Sequence, residues 1–233
     1  MRALIFAAGK GERMRPLSLH TPKPLLSVGG KPLIVWQIEK LAAIGVGDIV
    51  INTSWLAAQF PAVLGDGSDF GVHLHYCFEG AEPLETGGGL LHALPQLGPA
   101  PFIVVNGDIW SDYDFARLPE QPSGLAHLVL VALPESRPLG AFERAVSALL
   151  PASADAEPAA PWYTLAGISV VRPELLDGHR PGTFPLAPLL TAAAREGLVS
   201  VERLTGVWHD VGTPERWRAL NAELAAGRSV QGA

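Results

Sequence analysis

One cysteine, Cys77, occurs in 233 residues, which excludes an internal disulfide and a cysteine-built metal site. A reducing, cytoplasmic setting is therefore expected. Long apolar runs are also missing: none approaches the ~20 residues that a membrane-spanning helix needs, so no membrane partner is expected. The apolar stretch after Arg2 is too short for a secretory signal and passes straight into a glycine turn. Cations are few. Seventeen Lys and Arg against 23 Asp and Glu leave a net charge of −6, which argues against a nucleic-acid partner. All four lysines, Lys10, Lys23, Lys31 and Lys40, fall in the first forty residues, so positive charge is expected to gather near the N-terminal loop.

With 48% apolar and 17% charged residues, the chain reads as globular. Its length suits one α/β domain over 1–233, with no internal repeat and a tail at 228–233. Strands are expected at Ala3–Phe6, Asp48–Asn52, Val72–Glu79, Phe102–Val105, Leu125–Leu133, Thr164–Val171 and Leu198–Leu204. Helices are expected from Pro32 to Ala43, from Gly88 to Pro95, from Phe184 to Arg195, and from an N-cap at Thr213 to Gly227. The Ala-, Pro- and Ser-rich segment 145–161 reads as a solvated loop. Alternating strands and helices imply a mixed, mostly parallel central sheet with helices on both faces, a Rossmann-like three-layer αβα architecture.

The densest chemistry stands at the start. A strand runs into Ala7-Ala8-Gly9-Lys10-Gly11-Glu12-Arg13-Met14-Arg15-Pro16-Leu17, followed by Pro22-Lys23-Pro24-Leu25. Gly9 and Gly11 let backbone N–H groups approach phosphate oxygens, and Arg13, Arg15 and Lys23 can neutralise the charge. A P-loop is excluded, because no Gly-Lys-Ser/Thr follows at the required spacing. The dinucleotide fingerprint fails where Met14 replaces its third glycine. A bare glycine turn also ends many strands for purely structural reasons. The added Arg13 and Pro-Lys-Pro favour polyphosphate binding.

These two segments resemble the signature of the sugar-1-phosphate nucleotidylyltransferases. The resemblance continues along the chain and implies sites residue by residue. Ala7, Ala8, Gly9, Gly11, Arg13 and Lys23 would hold the nucleotide phosphates, with Arg13, Lys23 and Asp108 catalytic. Asn106-Gly107-Asp108 after the central strand, and Asp210 in Trp208-His209-Asp210-Val211-Gly212-Thr213, look like the family's Mg²⁺-binding pair. The physical warrant is that hard carboxylate oxygens at the carboxyl rim of an open sheet suit Mg²⁺ shared with substrate phosphates. Glu79 and the segment Pro83-Leu84-Glu85-Thr86-Gly87-Gly88-Gly89 resemble the base-recognition loop, with Glu85 in place of the usual Gly. Glu79, Glu85, Thr86, Gly87 and Asn106 are accordingly nucleotide-binding candidates, although a glycine triplet by itself reads as a flexible turn.

A carboxylate that only accepts hydrogen bonds fits the N–H edge of uracil and that of guanine alike. UTP is favoured because Gly11–Leu17, Glu82–Gly89, Asn106–Phe115 and the lack of an added domain resemble a small bacterial branch that uridylylates N-acetylmuramate 1-phosphate in cell-wall recycling. The acceptor expected is thus an N-acetylated sugar 1-phosphate, contacted by Asn106, Gly140, Thr164 and Gly167. The family's sugar-phosphate lysine has no counterpart, since no Lys follows position 40. Glu157-Pro158 could be its remnant motif, and Arg15, Arg137, Arg144 and Arg203 are candidate replacements. Trp55, Trp110 and Trp162 read as packing residues, His209 as structural and Cys77 as an inert buried thiol. A monomer or weak homodimer is expected. The alternatives are a guanylyl- or thymidylyltransferase of the same family, and a non-catalytic sugar-nucleotide sensor.

Overall fold

The computed structural model describes residues 1–134, 138–150 and 162–227. In chain order the strands are β1 (Arg2–Phe6), β2 (Ser27–Val28), β3 (Lys31–Pro32), β4 (Asp48–Thr53), β5 (His73–Phe78), β6 (Phe102–Asn106), β7 (Ile109–Ser111), β8 (Ala126–Ala132), β9 (Tyr163–Val171), β10 (Val199–Arg203) and β11 (Trp208–Asp210). The helices are α1 (Leu33–Ala43), α2 (Gln59–Leu64), α3 (Glu85–Leu97), α4 (Ala141–Ser147), α5 (Ala187–Arg195) and α6 (Pro214–Ala225). Among the described residues no helix is long and apolar enough to cross a membrane.

Seven strands form one sheet in the order β10-β8-β9-β6-β1-β4-β5. All neighbours are parallel except β9, which runs antiparallel to both β6 and β8. The middles of the central strands, Ala3–Phe6, Ile49–Ile51 and Phe102–Val105, are continuously apolar because both faces are covered. Ala3 and Ile5 of β1, Ile49 and Ile51 of β4, and Ile103 and Val105 of β6 pack on the face carrying α1 and α2. Leu4, Val50, Phe102 and Val104 point to the opposite face, under α3, α4 and α5. The α/β architecture expected from the sequence is therefore the one observed.

A third, smaller core joins Val28, Leu33, Trp110, Val211 and Leu220. It seats α6 against the β2–β3 hairpin and the two-stranded β7–β11 ribbon. Thr213 caps α6 as expected: its Oγ1 accepts the Arg216 N–H at 3.4 Å, and Pro214 opens the first turn.

Besides shifts of one or two residues at several ends, three elements differ from the sequence reading. Helix α3 begins at Glu85, not Gly88, and passes through Pro95 to Leu97. Helix α5 begins at Ala187, because Phe184–Leu186 is held against the start of α3 by Phe184 N–H to Leu84 O and Leu186 N–H to Thr86 Oγ1. Residues 145–147 belong to α4 rather than to a loop. The rest of that segment from 151 onward, with Glu157 and Pro158, and the tail at 228–233 lie outside the described residues.

Candidate functional site

The carboxyl ends of β1, β4, β5 and β6 meet at one rim of the sheet, and the polar residues following them line one cleft of about 220 Å³. Strand β1 delivers Ala7, Ala8, Gly9 and Gly11; β6 delivers Asn106 and Asp108; β5 delivers Glu79. Lys23 closes one side, and Glu85 and Thr86 the other. Ten residues placed at a nucleotide or metal site from the sequence, distant along the chain, are thus brought together here. Their convergence follows from the parallel register, in which Phe6 lies beside both Asn52 and Asn106.

The glycine loop is shaped for an external ligand. A Cβ built at Gly9 would meet no heavy atom within 4 Å, so nothing in the fold demands glycine there. Gly11 adopts φ +60°, and Ser18 Oγ donates to its carbonyl at 2.7 Å. Asp108 forms an ion pair with Lys23 at the cleft wall. Lys10 of the phosphate loop pairs with Glu82 of the loop after β5 at 2.6 Å, spanning the cleft mouth. Arg13 lies in an adjoining depression that shares Gly11 and Lys23 with the main cleft and also includes Gly212.

Glu79 has a different immediate task from the one expected. Its Oε1 accepts from Asn52 Nδ2, and its Oε2 accepts the Leu84 N–H at 2.8 Å. Asn52 in turn accepts the Ala7 N–H at 2.7 Å. This chain of bonds ties the phosphate loop, β4 and the base loop into one rigid wall. Asn52, 2% exposed, went unread in the sequence. The signal was present: it ends a central strand on the same rim that drew attention to Asp108.

The glycine triplet is not a flexible turn. Gly87, Gly88 and Gly89 are buried inside α3, and added Cβ atoms would lie 2.5 Å from the Phe184 ring, 2.1 Å from Gly182 O and 2.3 Å from Glu79 Oε1. Glycine here admits neighbouring chain rather than a base. The N–H groups of Gly87 and Gly88, orphaned at the helix start, both donate to Phe184 O. Gly87, placed at the base by its motif, therefore braces the loop from behind. Glu85 takes φ +59°, a left-handed conformation that explains why glycine suits this position.

Of the expected metal pair, Asp108 lies in the turn between β6 and β7 and Asp210 ends β11. Asp210 stands opposite Ile109 in the β7–β11 ribbon, and the Val211 N–H donates to Asp108 O at 3.0 Å. The Asp210 side chain is 10% exposed, accepts from Arg216 Nη1 at 3.1 Å and lines a separate cavity of about 220 Å³ with Trp208, His209 and Arg216, which shares no lining residue with the main cleft. A Cβ at Gly212 would lie 3.1 Å from Asp210 Oδ1 and 3.3 Å from Arg13 Nη2, so the carboxylate and the guanidinium converge there. Among the described residues no three His, Cys, Asp or Glu cluster as a complete ligand set. Two carboxylates beside a phosphate loop are nonetheless the donor set that Mg²⁺ uses with substrate phosphates.

A second cavity of about 250 Å³ adjoins the first and shares Phe6, Thr86 and Asn106 with it. Asn106, Thr164 and Gly167, three of the four residues assigned to the sugar phosphate from the sequence, line it. Strand β9 bulges at Ala166–Gly167, between the pairs Val129–Ile168 and Leu130–Leu165. Gly167 adopts φ +81° there, and a Cβ on it would strike the Asn106 side chain at 2.8 Å. Ala166 O accepts from Trp208 Nε1 at 2.8 Å, which ties the bulge to the strand carrying Asp210. Gly140 is absent from this lining; its N–H donates to Glu143 Oε2, and Glu143 takes the place in the wall.

The cations divide. Lys10 and Lys23 reach the phosphate loop, whereas Lys31 pairs with Glu39 and Lys40 donates to Ser111 O and Tyr113 O. Burial pushes the Lys40 ammonium below its ordinary pKa. The gathering of all four lysines at the loop is thus corrected. Arg15 pairs with Glu12 at 3.5 Å, Arg144 donates to Leu139 O and Arg203 stacks on Tyr163. None of the three lines the second cavity, and Arg137 lies outside the described residues. Trp110 is buried in the third core, Trp55 donates to Ser18 O and Trp162 is exposed. His209 pairs with Glu223 at 3.5 Å, and Cys77 is buried.

A sheet of this order with a glycine–cation loop and an adjoining second chamber defines a nucleotide-dependent transferase, and sequence comparison places it. Residues 2–140 match the family model described as Nucleotidyl transferase, and the chain belongs to that family. It is 46% identical to an N-acetylmuramate alpha-1-phosphate uridylyltransferase of Neisseria meningitidis serogroup B, over 97% of this chain and 99% of that relative. A protein of the same description from Caulobacter vibrioides is 34% identical over 96% of each chain. In structure, the fold matches a crystal structure described as a glucose-1-phosphate thymidylyltransferase from Bacillus anthracis with sucrose, at a TM-score of 0.79. That match covers 96% of this chain and 95% of the other at 22% identity, and bears on the fold alone.

Proposed function

We propose that this enzyme transfers a uridylyl group from UTP to N-acetylmuramate α-1-phosphate, giving UDP-N-acetylmuramate and pyrophosphate in peptidoglycan recycling. The observation that carries the reading is the pair of chambers meeting at Asn106 and Thr86, one walled by the phosphate loop and Lys23, the other by Thr164 and Gly167. Two substrates held either side of that seam can react in line. The near full-length similarity to two proteins of this description selects the nucleotide and the sugar.

In this reading the Gly9–Gly11 amides and Arg13 hold the β- and γ-phosphates, and Lys23 neutralises charge at the α-phosphate. An oxygen of the sugar phosphate attacks the α-phosphorus. The bond to the bridging oxygen breaks, and pyrophosphate leaves with that electron pair. The attacking oxygen is already an anion, so no general base is required, which suits the structural role of His209. Positioning and charge neutralisation supply most of the acceleration in such transfers. Asp108 and Asp210 would hold Mg²⁺, which neutralises phosphate charge when bound. Glu85 and Thr86 would face the base. The protein would work in the cytoplasm as a single-domain monomer or weak homodimer.

Label tracing tests the transfer directly. With [α-³²P]UTP and N-acetylmuramate 1-phosphate, the label is expected in UDP-N-acetylmuramate and not in pyrophosphate. Label recovered only in UTP would overturn the proposal.

A further inference from the structure

The second cavity contains one charged lining side chain among the described residues, Glu143, and no cation. The sequence Gly140-Ala141-Phe142-Glu143 places this glutamate at the third position of α4, from which a carboxylate reaches back to the N–H preceding the helix. Its Oε2 accepts the Gly140 N–H at 3.0 Å, and its Oε1 accepts from Thr164 Oγ1 at 3.2 Å. Gly140 has no side chain with which to complete the reciprocal cap, so the fold uses only part of the glutamate's capacity. Thr164 is 3% exposed on β9, opposite Val131, and is itself fixed. The carboxylate is thus held from two elements while each oxygen keeps a further lone pair. Around it the wall is apolar: Phe142, Leu165, Leu186 and Leu190.

We propose that Glu143 is the acceptor-specificity residue. Its carboxylate accepts hydrogen bonds from N–H or O–H groups of the pyranose, while the apolar wall receives the methyl of the N-acetyl group. This rests on the second cavity being the acceptor site. The charge has a second consequence: an acidic substituent on the sugar is repelled by Glu143 and must be directed out of the cavity. The pocket therefore selects an N-acetylated pyranose through its amide face and tolerates an acid only at its open side.

Glu143→Gln keeps an oxygen for the Gly140 N–H, and glutamine serves the same capping position. The variant is expected to raise KM for N-acetylglucosamine 1-phosphate and N-acetylmuramate 1-phosphate by roughly tenfold or more, as for loss of a hydrogen bond to a charged acceptor. KM for UTP and the melting temperature should stay at the parent values. The preference for N-acetylglucosamine 1-phosphate over glucose 1-phosphate should narrow. Unchanged acceptor KM, or a rise in both KM values together with a lower melting temperature, would overturn the proposal. Calorimetric titration of N-acetylglucosamine 1-phosphate into parent and variant separates this from the reaction itself. Binding that weakens in the variant of a catalytically silent protein sustains the site and overturns the uridylyl transfer. Equal binding by both overturns the role of Glu143 whatever the activity.

Discussion

Lys23 and Asp108, 85 positions apart, form an ion pair at the wall of the nucleotide cleft. Their side chains are 14% and 28% exposed, so the contact is partly shielded from solvent and links the segment after the glycine loop to the end of the central strand. In the proposed reaction each group would position the other, the ammonium toward the α-phosphate and the carboxylate toward Mg²⁺. Lys23→Ala should lower kcat by about 10²–10³-fold, the usual cost of removing a group aimed at transition-state charge. Its melting temperature should remain near the parent value. Activity within about tenfold of the parent would remove Lys23 from catalysis.

Chelation should abolish the reaction, and Mg²⁺ should restore it. Asp108→Asn and Asp210→Asn should each weaken binding of Mn²⁺ to the UTP complex, read by electron paramagnetic resonance. Metal binding by both variants equal to that of the parent would contradict the two-carboxylate site.

Gly9 and Gly88 should respond oppositely to alanine. At Gly88 the new Cβ would fall 2.1 Å from Gly182 O, inside a buried contact, and overpacking of this kind costs about 1–3 kcal/mol. Urea unfolding measures it. At Gly9 the Cβ meets nothing within 4 Å, so stability should hold while KM for UTP rises. Equal stability of both variants would refute the packing account of the triplet.

Glu85 carries φ +59° without the freedom of glycine. A left-handed residue with a side chain costs roughly 1–2 kcal/mol, and glycine returns part of this through unfolded-state entropy, so Glu85→Gly should be neutral or more stable by up to about 1 kcal/mol. A clear loss of stability in urea titration would show that the side chain makes a compensating contact.

Cys77 is buried on β5, and burial, reinforced by the nearby Glu79 charge, holds its thiol above the ordinary pKa. Native protein should therefore react with Ellman's reagent at pH 8 far more slowly than the unfolded chain. The sign for stability follows: above the unfolded thiol pKa the native state binds the proton more tightly, so this contribution falls as pH rises through that range. Cys77→Ser should flatten that part of the pH–stability curve.

The sequence made the phosphate loop, Asp108 and the α/β plan legible because each is encoded locally, in contiguous motifs or in short continuous apolar runs such as Phe102–Val105. What it hid depends on partners distant in the chain. Gly88 looks like part of a flexible turn until Gly182 is brought against it, and Lys40 looks like part of the charge gathered near the phosphate loop until the Ser111 and Tyr113 carbonyls claim it. Glu79 looks like a base contact until Asn52 and the Leu84 N–H engage both oxygens. Glu143 gave one local sign, its spacing of three from Gly140, but only the packing of α4 beside β9 turns it into the second chamber.

The most direct test of the account is Mg²⁺-dependent pyrophosphate release, with UTP, dTTP, GTP, CTP and ATP crossed against the 1-phosphates of N-acetylmuramate, N-acetylglucosamine, glucose and mannose. Two chambers with the proposed selectivities predict release concentrated on UTP with N-acetylmuramate 1-phosphate. Release with GTP and mannose 1-phosphate would contradict the assignment of both chambers, and silence in every combination would reduce the protein to a sugar-nucleotide sensor.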